Sequence, residues 1–214
     1  MGLLDKLKLS ERNKADSPAT DQDAGESAED CNRTGLELAK RGLYAEALEE
    51  FNQATRKEPD YAEAYYNKGV TYDILGHFAK SIKCYEQAIR IEPHYVEAYN
   101  NLGLALTNLG QCLDAIKTYM KAIRLKPDYL EAHNNLGMAY YNWGSYAEAL
   151  KAIKKALQIE PNYPHAYYSL GLVYIDLRDK QLALEQYEAL KEIDPDIAGH
   201  LLDKIHRQFS MVQG

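Results

Sequence analysis

Asn67, Asn101 and Asn135 stand one behind the other at a fixed interval of 34 residues, and Glu63, Glu97 and Glu131 repeat at the same interval. Asn100 with Asn134, and Asn108 with Asn142, keep that step too. A primary amide donates and accepts at once, so it can pair with both polar groups of a peptide unit whatever side chain that unit carries. A row of amides at one spacing would grip an extended segment along its backbone. The glutamates would favour a segment with basic residues. Tyr66 and Tyr168 would add flat contact area at low entropic cost. The competing reading of the same residues is plainer: solvated side chains, or hydrogen bonds between successive repeats, with no ligand.

Other chemistries find little to work with. Cys31, Cys84 and Cys112 are scattered and lack a C-x-x-C spacing, which fits small packing residues in a reducing compartment. His200, Asp203 and His206 share one stretch, but the two histidines are six apart and face different directions on a helix. No metal site or cofactor is expected. No nucleophile–base set, phosphate-binding loop or paired carboxylate stands out, and residues 1–27 and 198–214 are too short for a catalytic domain. The expectation is a chain that is not an enzyme. A net charge of −7 argues against a general nucleic-acid surface, which needs lysine and arginine in excess.

The elements that must position the amides follow from the period itself. In Val96–Tyr129, taken as slots 1 to 34, slot 8 is Gly103, slot 15 Gly110, slot 20 Ala115, slot 24 Tyr119, slot 27 Ala122 and slot 32 Pro127. One step back these slots hold Gly69, Gly76, Ser81, Tyr85, Ala88 and Pro93, and one step forward Gly137, Gly144, Ala149, Ile153, Ala156 and Pro161. Weaker copies in register run over 28–61 and 164–197, the latter with Arg178 in the glycine slot. Five units of constant length mark a solenoid, because no single unit of this size can bury a core. Each unit reads as two helices, about 96–109 and 112–125 in the central one. Gly110 stops the first helix and Pro127 ends the second. The mid-helix glycine at slot 8 is expected to face the small residue at slot 20, letting two backbones approach. Ile197, Leu201, Ile205 and Phe209 recur every four residues, so Asp196–Phe209 is expected to be a helix that covers the last repeat.

This pattern resembles the tetratricopeptide repeat (TPR) family, over about four fifths of the chain. The resemblance implies an all-α fold: a right-handed superhelical α-solenoid of five TPR helix pairs (28–61, 62–95, 96–129, 130–163, 164–197) in one elongated domain with a C-terminal capping helix. It also implies where the amides lie. In that family slots 2, 5, 6, 9, 12 and 13 of each first helix line the concave side. Slot 6 holds Asn67, Asn101 and Asn135, slot 5 Asn100, Asn134, Tyr66 and Tyr168, slot 13 Asn108 and Asn142, and slot 2 Glu63, Glu97 and Glu131. The array is similar to the asparagine ladder of some TPR proteins. It does not resemble the carboxylate clamp of co-chaperones, since slot 9 holds Leu36, Val70, Leu104, Met138 and Leu172.

Residues 1–27 are polar after a short start and read as a disordered tail. The start places Leu3, Leu4 and Leu7 beside Lys6 and Lys8, and reads as a frayed terminus, with contact to a membrane surface or a partner as the alternative. No apolar run suits a signal peptide or a span, and Lys6 breaks the myristoylation pattern after Gly2. The function expected is a non-enzymatic scaffold binding protein or peptide segments, cytoplasmic or peripheral on an internal membrane. In size and layout the chain also resembles the MamA-type magnetosome-associated scaffolds, which implies self-assembly as a homo-oligomer on an organelle surface. The alternative is a regulatory or targeting subunit that docks a separate catalytic protein.

Overall fold

The structure, a computed structural model, describes residues 6–8 and 26–210. The tail expected over 1–27 falls mostly outside the described residues. Among them every regular element longer than one turn is an α-helix: α1 (Ala28–Lys40), α2 (Tyr44–Lys57), α3 (Ala62–Ile74), α4 (Phe78–Ile91), α5 (Val96–Asn108), α6 (Cys112–Leu125), α7 (Leu130–Asn142), α8 (Tyr146–Ile159), α9 (Pro164–Asp176), α10 (Lys180–Lys191) and α11 (Pro195–Ser210). From the second repeat on, the first helices start at residues 62, 96, 130 and 164, the sequence period itself.

Local chemistry sets the boundaries. Ser27 and Asp30 form a capping box on α1, in which Ser27 Oγ accepts from the Asp30 N–H and the Asp30 carboxylate accepts from the Ser27 N–H. These bonds from Ser27, reinforced by Arg33, hold the Asp30 carboxyl down to about 2. The residues after α2, α4, α6 and α8 (Glu58, Glu92, Lys126 and Glu160) are all extended. Each precedes a proline, whose ring clashes with a helical neighbour. The turn after each first helix needs a left-handed residue, supplied by Gly42, Gly76, Gly110 and Gly144. Arg178 does the same work at φ 62°, and with the Gln208 amide turned so that its oxygen faces Arg178, the guanidinium donates to Gln208 Oε1 of α11 at 2.6 and 3.1 Å.

The structure forms two compact units, Met1–Leu109 and Gly110–Gly214. The boundary falls in the turn of the third repeat. Repeats touch only their neighbours, so no single core needs to run the length of the chain. In the first unit α1 packs on α2, α3 on α4, and α4 on α5, while α1, α3 and α5 touch in succession along one face. In the second, α7 packs on α8 and α9 on α10, and α11 closes against α9 and α10.

The space beside the slot-8 glycines is filled differently from the expectation. A Cβ on Gly35 would lie 2.7 Å from the Phe51 ring, and one on Gly69 would lie 2.6 Å from the Tyr85 ring. A Cβ on Gly137 would collide with Ile153 and approach Ala149 O at 3.1 Å. The large slot-24 side chain thus lies over the glycine, and the small slot-20 residue only lets the helices close around it. In the last repeat Leu201 of α11 takes that place, 2.6 Å from a Cβ on Gly171. Leu201 and Ile205 of the covering helix are fully buried in this core.

Candidate peptide-binding groove

Along α1, α3 and α5 the buried polar residues are joined in a chain. Asn32 of α1 donates from Nδ2 to Glu63 Oε1 at 2.9 Å and to the Tyr61 hydroxyl at 3.2 Å. Asn67 of α3 donates to Asn32 Oδ1 at 3.1 Å, and Asn101 of α5 donates to the Tyr66 hydroxyl at 2.9 Å. Asn67 is 0% exposed and Asn101 2%. Each amide is therefore held in one orientation by its neighbour, with its oxygen left for something else.

That something else is the chain itself. Residues Lys6–Lys8, read from the sequence as a frayed terminus, lie across this face. Asn67 Oδ1 accepts from the Lys8 main-chain N–H at 2.9 Å, and Asn67 Nδ2 donates to the Lys8 carbonyl at 2.8 Å. One side chain thus satisfies both polar groups of one residue, as a neighbouring β-strand would. Lys6 Nζ donates to Asn101 Oδ1 at 3.0 Å. Lys8 Nζ meets Glu97 at 2.6 Å, with the glutamate side chain 36% exposed. Leu7 packs against the first-repeat cluster of Leu36, Ala39, Ala47 and Phe51.

Beside this segment a cleft of about 850 Å³ is lined by Asp60, Glu63, Glu92 and Glu97, together with Tyr61 and Tyr95. Deeper in the same face, Asp73 of α3 is 5% exposed. Its Oδ2 accepts from the Tyr85 hydroxyl at 2.6 Å and its Oδ1 has no hydrogen-bond partner. Burial raises the Asp73 carboxyl above the ordinary range, against the pull of the Tyr85 hydroxyl and of the nearby Lys6 ammonium. Burial also raises the Tyr85 phenol, so it stays a donor.

The expected site residues divide among several environments. Asn67, Asn101 and Glu97 meet the bound segment directly. Glu63 is buried and committed to Asn32. Asn100 is buried in α5. Tyr66 is 1% exposed, its ring stacked on Tyr95 at 4.9 Å, so it offers a hydroxyl to Asn101 and no open surface. Asn108 lies exposed at the end of its helix. In the second unit, Asn134, Tyr168 and His165 line a smaller cleft of about 360 Å³ with Leu172 and Ile197. Asn134 is buried there, and its Oδ1 has no hydrogen-bond partner. Asn135 and Glu131 are half-buried, and Asn142 is exposed. Two contributors went unread in the sequence, and a third, Lys6–Lys8, was read as a frayed terminus with contact to a membrane surface or a partner as the alternative. Asn32 occupies the same slot as Asn100 and Asn134, a signal that was available. Asp73 sits in a lining slot but has no acidic counterpart in the other repeats. Lys6–Lys8 lie outside the period altogether.

Tetratricopeptide-repeat profiles match residues 62–95, 84–117, 130–163 and 164–197, and TPR-repeat profiles match 35–73 and 104–144. The matches run without a break from residue 35 to residue 197. The chain belongs to the tetratricopeptide-repeat family. Its repeats make it a protein–protein interaction scaffold by type. No curated protein matches the chain in sequence. Among solved structures, MamA is similar at 25% identity and TM-score 0.69, over 77% of this chain and 96% of that one. A MamA from Desulfovibrio magneticus RS-1, comprising residue 41 to its end, is similar in fold at 21% identity and TM-score 0.73, over 80% and 97%. YrrB, described as a TPR protein with an unusual peptide-binding site, is similar at 25% identity and TM-score 0.66, over 83% and 93%. Among the described residues no helix is long and apolar enough to cross a membrane.

Proposed function

We propose that the chain is a non-enzymatic adaptor that holds an extended peptide segment of a partner protein on the α1–α3–α5 face, through side-chain amides that pair with the ligand backbone. The observation that carries this reading is the double hydrogen bond from Asn67 to the main chain of Lys8. An amide fixed from behind by Asn32 is set for a backbone before the ligand arrives, which lowers the ordering cost of binding. The cleft carboxylates favour basic ligands. Asn134, with its unpartnered buried oxygen, is a second acceptor for a ligand N–H in the other unit. The fold likeness to MamA extends the proposal to self-assembly on an organelle surface such as the magnetosome. Light-scattering mass that rises with concentration is the expected mark of that extension.

The test of the groove is a displayed library of random ten-residue peptides selected on the full chain. Enriched peptides should lose binding to an Asn67→Ala/Asn101→Ala variant whose helix content matches wild type. Enriched peptides that bind this variant undiminished would overturn the assignment.

A further inference from the structure

We propose that the α1–α3–α5 face recognises a Lys-apolar-Lys segment, and that residues 6–8 of the chain occupy it in cis as a tethered competitor of the partner. The inference rests on the groove reading above and gives its ligand a chemistry. Each residue of Lys6-Leu7-Lys8 meets a matched environment. Lys6 reaches Asn101 Oδ1 and lies near the buried Asp73 carboxylate. Leu7 sits on the apolar cluster of the first repeat. Lys8 gives its backbone to Asn67 and its ammonium to Glu97.

Two features say that this face is built for more than the three residues on it. The acidic cleft next to Lys8 keeps about 850 Å³ of open space, so a longer basic segment has room to continue. The Asp73 Oδ1 atom is buried with no hydrogen-bond partner, and leaving a buried charged acceptor in that state is unfavourable. A ligand whose basic group replaces Lys6 and reaches further, as an arginine would, supplies the absent donors. Such a partner outcompetes the chain's own segment, while one without basic residues does not. The segment belongs to the same chain as the face it occupies, so its competition is intramolecular and independent of protein concentration. Weak individual contacts therefore suffice to keep the face occupied until a better-matched ligand arrives.

The experiment uses the full chain and a fluorescein-labelled synthetic peptide with the sequence of residues 1–12, read by fluorescence anisotropy. The peptide is expected to bind a Lys6→Glu/Lys8→Glu chain about tenfold tighter than wild type, since each 1.4 kcal/mol of lost competition is tenfold. The ratio should not change with protein concentration. Adding Glu97→Gln, a partly exposed position where misfolding is not at issue, should weaken the peptide again, and adding Asn67→Ala should abolish it. Equal affinity for wild type and the double-lysine variant would overturn cis occupancy. A ratio that grows with protein concentration would overturn it too, assigning the segment to a second copy. If library peptides bind through Asn67 while the residue 1–12 peptide does not, this inference fails and the groove stands. If neither binds, the groove reading itself fails.

Discussion

Gly69→Ala and Gly199→Ala are the same chemical change in two helices, and the structure gives them opposite signs. At Gly69 the new methyl would lie 2.6, 2.9 and 3.0 Å from three ring atoms of Tyr85, so the ring must retreat by most of an ångström. It has nowhere to go. Tyr85 is fully buried, tilted against Tyr66 at 5.9 Å, and pinned by its hydroxyl to Asp73 at 2.6 Å. Overpacking of this kind costs about 1–3 kcal/mol. Pulling the hydroxyl off a buried carboxylate that already has one unpartnered oxygen adds about 1.5–3 kcal/mol. Removing a glycine from a helix returns only about 1 kcal/mol. The expected net loss is about 1.5–5 kcal/mol. At Gly199 in α11 nothing lies within 4 Å of the new methyl, so only the helical gain remains, about 0.5–1 kcal/mol of added stability. Urea unfolding followed by circular dichroism reads both. A Gly69→Ala chain as stable as wild type, or both variants shifting the same way, would refute the account of how the slot-24 ring seats on the slot-8 glycine.

Three further outcomes follow from named contacts. Leu201→Ala should cost about 2–5 kcal/mol, because a fully buried side chain that covers Gly171 is replaced by a cavity, and thermal unfolding should show it. Arg178→Gly should raise the melting temperature slightly, since a left-handed non-glycine residue costs about 1–2 kcal/mol, part of which the tie to Gln208 offsets. Asp73→Asn should be more stable than wild type at neutral pH. The folded-state pKa of Asp73 is raised, so the folded chain binds the proton more readily than the unfolded chain. The destabilisation is therefore full above the folded value and vanishes below the unfolded value of about 4. The two melting temperatures should converge as pH falls through that window, and parallel curves would contradict the sign.

The period carried most of the fold. Glycine at the turn, proline after the second helix and the four-residue apolar spacing of α11 each report a backbone or packing demand that one residue type meets locally. The seating of Phe51 and Tyr85 on glycines was less legible, because slots 8, 20 and 24 all suit close helices and spacing alone does not say which side chain fills the gap. For the groove, Asn67, Asn101 and Glu97, which meet the Lys6–Lys8 segment, stand at slots that the sequence singled out. That Tyr66 turns inward and Glu63 is taken up by Asn32 could not be read there, since both depend on partners in the preceding or following repeat. The Lys6–Lys8 segment was hardest to read. Its partners Asn67 and Asn101 are far away in sequence, and three residues outside a repeat carry no periodic signal.

The claim at the centre of this account is that a side-chain amide grips an extended backbone on the α1–α3–α5 face. Hydrogen exchange of the Lys8 main-chain amide, measured by NMR on the full chain, tests it most directly, because that N–H donates to Asn67 Oδ1. The account predicts a Lys8 amide protected at least about tenfold over its unstructured rate, with protection lost in Asn67→Ala. A Lys8 amide that exchanges at the unstructured rate in the wild-type chain would contradict it.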